Sequence, residues 1–247
     1  MIDANDQYNV ASKQRILLSM MVDFHDFCTK MGIAYTIIGG TLLGAIREKG
    51  FIPWDDDIDI LMDRANFELL RSELHKMPQY SMEEPLWVYK FVDKDVYHQQ
   101  GINKTIPVLD IFIADRVQSG IFKKKIKVLG LKLLQGMIKT KTNEKKKYSV
   151  VYYFALKVTS IVGKLFSADQ KKKMYTSLSL WGNADSTQPL MICNDIFQSL
   201  GCEYAPDLMD EFILLDFEDT KLMAIKKWDN YLTKQYGDYM RPVRIEH

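Results

Sequence analysis

Apolar and polar positions alternate along this chain with two different periods. Residues 12–31 carry apolar side chains at helical spacing, with Ile16, Met20 and Phe24 in one row and Leu17 and Phe27 beside it. Gly32 follows as a helix stop. Ala34–Ile38 is a short apolar run that reads as a buried strand, and Leu42–Lys49 reads as a helix capped by Thr41. Ile58–Met62 is strand-like. Arg64–Lys76 keeps Phe67, Leu70 and Leu74 at helical spacing, with Asp63 as its cap. Residues 86–93 and Ile106–Ala114 read as strands, joined by a polar loop over 93–104. Two basic amphipathic helices are expected between Ile121 and Phe166, separated by a Lys-rich loop at 140–148. One more helix is expected at 169–183, a return to the core at 190–200, and a last helix from about Lys221 to Tyr236.

The chemistry concentrates between Tyr35 and Asp63. The pair Gly39-Gly40 lets backbone approach a ligand closely, and the N–H groups of a new helix attract phosphate. Four aspartates then fall in five positions: Asp55, Asp56, Asp57 and Asp59. In a strand Asp57 and Asp59 share one face, while Ile58 and Ile60 share the other. Carboxylates held on one face repel each other unless a cation lies between them, and oxygen ligands suit Mg²⁺ or Mn²⁺. Asp110, in the middle of an apolar strand, is the candidate third ligand, because a charge there is costly unless paired or metal-bound. Asp57, Asp59 and Asp110 are therefore the expected catalytic and metal residues. Gly39, Gly40, Thr41, Arg47, Trp54 and Asp55 are the expected substrate-binding residues. Lys90 and His98 are further candidates for contact with donor or acceptor.

This order of elements matches the nucleotidyltransferase fold: an α+β mixed-sheet core flanked by helices, here with a basic helical insertion. Segments 40–47, 50–60 and 108–112 resemble the LicD family of phosphocholine and phospho-alcohol transferases, to which the fukutin-related ribitol-phosphate transferases are distantly similar. A weaker likeness returns at 231–240. The resemblance implies transfer of a phospho-alcohol from a CDP-activated donor to a hydroxyl of a cell-surface glycan or its lipid-linked precursor, with release of CMP. A nucleotidyltransferase releasing pyrophosphate, and a non-catalytic glycan- or nucleotide-binding protein of the same fold, are the alternatives.

A net charge of +1 conceals an uneven distribution. Between Arg116 and Lys173 stand sixteen basic residues and two acids, which leaves 17 basic against 30 acidic residues elsewhere. Residues 121–173 thus suggest an anionic membrane surface as a partner. No nucleic acid is expected, since no nucleic-acid module accompanies the charge. The polar N-terminus and three cysteines without metal-ligand spacing suggest the cytoplasm, with peripheral attachment at the inner face of the membrane. The expected division is 1–115 as catalytic core, 116–180 as basic helical segment and 181–247 as a C-terminal region packing back on the core.

Overall fold

The computed structural model describes residues 10–101, 106–118, 120–139, 150–182 and 185–241. Its contacts divide into two compact units. One holds 1–83, 90–112 and 207–247; the other holds 84–89 and 113–206. This division differs from the sequence expectation. Residues 190–200 belong with the basic helices, and only the chain from 207 onward belongs with the N-terminal elements.

The first unit opens with helix α1 (Ala11–Met31), closed by Gly32 in the left-handed region, φ +66°. Its buried face is Leu17, Met20, Met21, Phe24 and Cys28, whereas Ile16 is half exposed. Leu17, Met20 and Phe24 are thus buried as expected, whereas Met21 and Cys28 take the places expected for Ile16 and Phe27. Strand β1 (Thr36–Ile37) leads into helix α2 (Gly39–Arg47). Strand β2 (Ile58–Asp63) and helix α3 (Arg64–Glu73) follow, and Asp63 caps α3 by accepting from the Asn66 N–H at 2.8 Å. Then come strands β3 (Tyr80–Glu83) and β4 (Tyr89–Asp93), helix α4 (Lys94–Gln100) and strand β5 (Leu109–Arg116). The expected polar loop over 93–104 is thus helical in its first part, because the Asp93 carboxylate accepts from the N–H groups of Asp95 and Val96. Residues 102–105 lie outside the described residues.

The strand order is β1-β2-β5-β4-β3, with β1–β2 and β3–β4 antiparallel. Phe24 packs edge-on to both Tyr35 and Phe91, each at 5.3 Å. The unit closes with a hairpin of β8 (Phe212–Phe217) and β9 (Thr220–Ile225), then helix α8 (Trp228–Tyr236). The expected single helix from Lys221 is thus a strand followed by a shorter helix. The hairpin is fastened to β1 where the Thr36 hydroxyl accepts from the Ile225 N–H at 2.9 Å.

The second unit contains helices α5 (Ile121–Ile138), α6 (Val150–Gly163) and α7 (Ala168–Leu180), and strands β6 (Leu190–Ile192) and β7 (Glu203–Tyr204). Strand β6 pairs antiparallel with Ala114–Arg116 of β5. Val117, Leu131, Leu134, Tyr175, Met191 and Cys193 form its core. Lys127, though charged, is only 1 % exposed. It donates to the carbonyls of Arg116, Ser179 and Trp181 at 3.0, 2.6 and 3.1 Å. The expected loop 140–148 lies outside the described residues. Among the described residues no helix is long and apolar enough to cross a membrane.

Candidate active site

Ile38 is extended (φ −138°, ψ −174°), so α2 begins at Gly39, three residues earlier than a Thr41 cap would place it. Gly39 has φ +59°, a conformation open to glycine at little cost. Both glycines also face carboxylates. A Cβ on Gly39 would lie 2.4 Å from Asp59 Oδ2, and one on Gly40 would lie 2.4 Å from Asp55 Oδ2. Thr41 is inside the helix. Its buried hydroxyl accepts from the Asp59 N–H at 2.9 Å, and so ties the first turn of α2 to β2.

Asp57 precedes β2 and Asp59 lies within it, between the buried side chains of Ile58 and Ile60. Burial, and then the neighbouring charge of Asp57, raise the Asp55 carboxyl well above the usual carboxylate range. The two side chains are hydrogen-bonded to each other. Burial also raises Asp57 and Asp110. Asp56 points elsewhere: it is exposed and meets Lys13 at 2.8 Å.

Strand β5 lies between β2 and β4, which brings Asp110 into the same neighbourhood. Its Oδ1 accepts from Lys90 Nζ of β4 at 2.5 Å, and the charge of Asp57 also acts on it. Lys13 and Lys90 are the cations that oppose this concentration of negative charge. Gln14 of α1 holds the acidic loop by donating to the carbonyls of Ile52 and Asp55 at 3.2 and 2.8 Å. Neither Lys13 nor Gln14 stands out in the sequence, since both read as ordinary polar positions on the outer face of a helix.

Arg47 and Trp54 complete the expected substrate-binding residues. Arg47 lies at the far end of α2, roughly 12 Å along the axis from Gly39. It donates to Glu48 Oε1 at 3.1 Å and to the Tyr239 carbonyl at 3.3 Å. Trp54 is half-buried in the turn before Asp55.

The donor set fits a hard divalent cation in its chemistry, being all oxygen, with two carboxyls so close that they hydrogen-bond. Among the described residues, no three carboxylate, imidazole or thiol side chains converge as a ready-made cage.

Asp59 on β2 and Asp55 before it face the glycine-started helix α2, and Asp110 lies on the adjacent strand β5. Residues 32–132 match the family model described as LicD/FKTN/FKRP, nucleotidyltransferase domain. The chain is 29% identical to the lipopolysaccharide cholinephosphotransferase LicD of Haemophilus influenzae over 252 aligned residues, covering 93% of this chain and 90% of that protein. It is 47% identical over 101 residues to an uncharacterized protein of Rickettsia typhi, covering 38% of this chain and 33% of that one. A Rickettsia prowazekii protein matches at 47% over 55 residues, covering 22% of this chain and 21% of that protein. Segment 32–132 thus resembles the LicD-type nucleotidyltransferase domain, and the resemblance to a LicD protein extends over nearly the whole chain.

Proposed function

We propose that this protein is a phosphotransferase that moves a phospho-alcohol, phosphocholine foremost, from a CDP-activated donor to a hydroxyl of a cell-surface glycan or its lipid-linked precursor. The observation that carries this reading is the near full-length likeness to a lipopolysaccharide cholinephosphotransferase. The arrangement of Gly39, Gly40, Asp55, Asp57, Asp59 and Asp110 is compatible with it. In this reading the N–H groups of the first turn of α2 donate to donor phosphate oxygens, where the helix dipole favours negative charge. The acceptor oxygen forms a bond to the phosphorus bearing the alcohol, the bond from that phosphorus to CMP breaks, and CMP leaves with the electron pair. The proton of the acceptor hydroxyl passes to a carboxylate; Asp110 is our candidate for that role or, alternatively, for holding a second metal. Asp57, Asp59 and Asp110 would hold Mg²⁺ or Mn²⁺, which would neutralise charge developing on the phosphoryl group and the leaving group. Lys90 orients Asp110 through their ion pair. The proposed setting is the cytoplasm, at the inner face of a membrane.

The nucleotidyltransferase description of the matched domain favours one second reading: attachment of a nucleotide with release of pyrophosphate. A single assay separates the two. Purified protein is given Mg²⁺ with either CDP-alcohols or nucleoside triphosphates, and CMP and pyrophosphate are quantified. CMP from one CDP-alcohol, absent in Asp59→Asn, supports the transferase. Pyrophosphate from a triphosphate would replace it with the second reading.

A further inference from the structure

We propose that helices α5 and α6 form a docking face for an anionic lipid membrane. It is carried by the second unit and does not depend on the chemistry at the aspartates. Helix α5 is apolar on two sides. Lys127, Leu131 and Leu134 face inward and are buried. Phe122, Ile126, Leu129 and Leu133, spaced four, three and four residues apart, form an opposite row that faces out. Phe122 is 77% and Leu129 60% exposed.

This outward row is not what α5 uses to meet its helical neighbour. A Cβ on Gly136 would lie 2.4 Å from Thr159 Oγ1, and one on Gly163 would lie 2.4 Å from the Met137 carbonyl oxygen. The two helices therefore already touch through their glycines. Helix α6 and the turn after it have an outward row of their own, Val158, Ile161 and Leu165, the last 80% exposed.

The charges identify the occupant. Lys123 and Lys125 are exposed, and on a helical wheel they flank the Phe122–Leu133 row, one on each side. Lys164 is exposed beside Leu165. A second copy of the same face would set lysine against lysine, whereas anionic headgroups complement the lysines and acyl chains accept the apolar row.

The test is co-sedimentation of the full chain with vesicles of phosphatidylcholine alone or with 30 mol% phosphatidylglycerol, about that fraction being enough for a strongly negative surface. Binding is expected to the anionic vesicles only. Each basic residue near such a surface is worth about fivefold, so Lys123→Gln with Lys125→Gln should weaken binding roughly thirtyfold. Phe122→Glu with Leu129→Glu should weaken it at least tenfold, by about the loss of two apolar side chains from the interface. Both positions are exposed, so the fold should survive, and unchanged thermal unfolding checks this. CMP release from a water-soluble donor should be unaffected in all these variants, which keeps a failure of docking distinct from a failure of the catalytic reading. Equal binding to neutral vesicles, no binding to either, or a dimer that Phe122→Glu with Leu129→Glu dissociates would overturn the proposal.

Discussion

Gly40→Ala separates the role of the first turn of α2 in chemistry from its role in stability. Gly40 is helical, so alanine is intrinsically favoured there by about 0.5–1 kcal/mol. The new Cβ would stand 2.4 Å from Asp55 Oδ2, the free end of a side chain rather than backbone. Relief comes by swinging that carboxylate away, which gives up its hydrogen bond to Asp57, worth about 0.5–1.5 kcal/mol net. The two effects nearly cancel, and stability should change by no more than about 1 kcal/mol, roughly 2–4 °C in Tm for a chain of this size. Turnover should fall by one to two orders of magnitude, because displacement of about 1 Å at a reacting centre costs about 10²-fold. Thermal unfolding and CMP release, measured on the same preparation, check both parts. Wild-type turnover in Gly40→Ala, or a loss of much more stability than this, would refute the reasoning. Gly39→Ala is the contrast. Its φ of +59° adds about 1–2 kcal/mol of left-handed strain, so it should lose stability and activity together.

Three further outcomes are expected. Thr41→Val removes the acceptor that the Asp59 N–H uses and should cost about 1–3 kcal/mol, read by urea unfolding, with reduced turnover. Lys127→Met leaves the carbonyls of Arg116, Ser179 and Trp181 without this donor and should destabilise the chain by about 3 kcal/mol or more; wild-type unfolding would contradict that. Burial pushes Asp195 up to about 6. A carboxyl raised in the folded state contributes its stability below the unfolded value near 4 and loses it as pH rises to about 6. Asp195→Asn should therefore match wild type at pH 4 and exceed it by up to about 3 kcal/mol at pH 8, a comparison made by denaturant titration at both pH values.

The strand positions of the candidate site's Asp59 and Asp110 were legible because strand alternation has an unambiguous period. Asp59 between Ile58 and Ile60, and Asp110 between Leu109 and Ile111, can be read as polar groups on otherwise apolar strands, and the structure has them on adjacent strands. The glycine pair was legible for the same region, but its reason was only half visible. Close approach was expected from a phosphate, whereas here the groups against the glycines are carboxylates of the chain itself. Thr41 was read as a cap because a threonine before an apolar run looks the same whether it starts a helix or hydrogen-bonds across to a strand. The β8–β9 hairpin was missed for a physical reason. Its turn uses Glu218 at φ +53° rather than a glycine, and Leu222, Ala224 and Ile225 fit helical spacing as well as strand spacing. The misplacing of Ile16 and Phe27 on the packed face of α1 has a similar origin, since its apolar stripe is wider than the face that packs.

The second unit was legible in composition but not in extent. Sixteen basic residues marked the insertion, yet the pairing of β6 with Ala114–Arg116 is long-range and leaves no local signal. The same lysines divide into groups with different roles. Lys127 is buried on carbonyls, Lys124 meets Glu203 at 2.9 Å, Lys132 lies over the Phe197 ring at 4.5 Å, and Lys123 and Lys125 face solvent. Only burial distinguishes them, and burial is a property of the folded chain.

The most direct test of the central claim follows the transferred group itself. CDP-choline labelled in its choline methyls is incubated with the purified protein, Mg²⁺ and isolated lipopolysaccharide or lipid-linked glycan. Label on the glycan and CMP in solution are counted together. The account predicts equal amounts of both, and neither in Asp57→Asn or Asp59→Asn variants that unfold like wild type. Label on the glycan with those carboxylates removed, or CMP-labelled glycan with release of pyrophosphate from CTP, would contradict it.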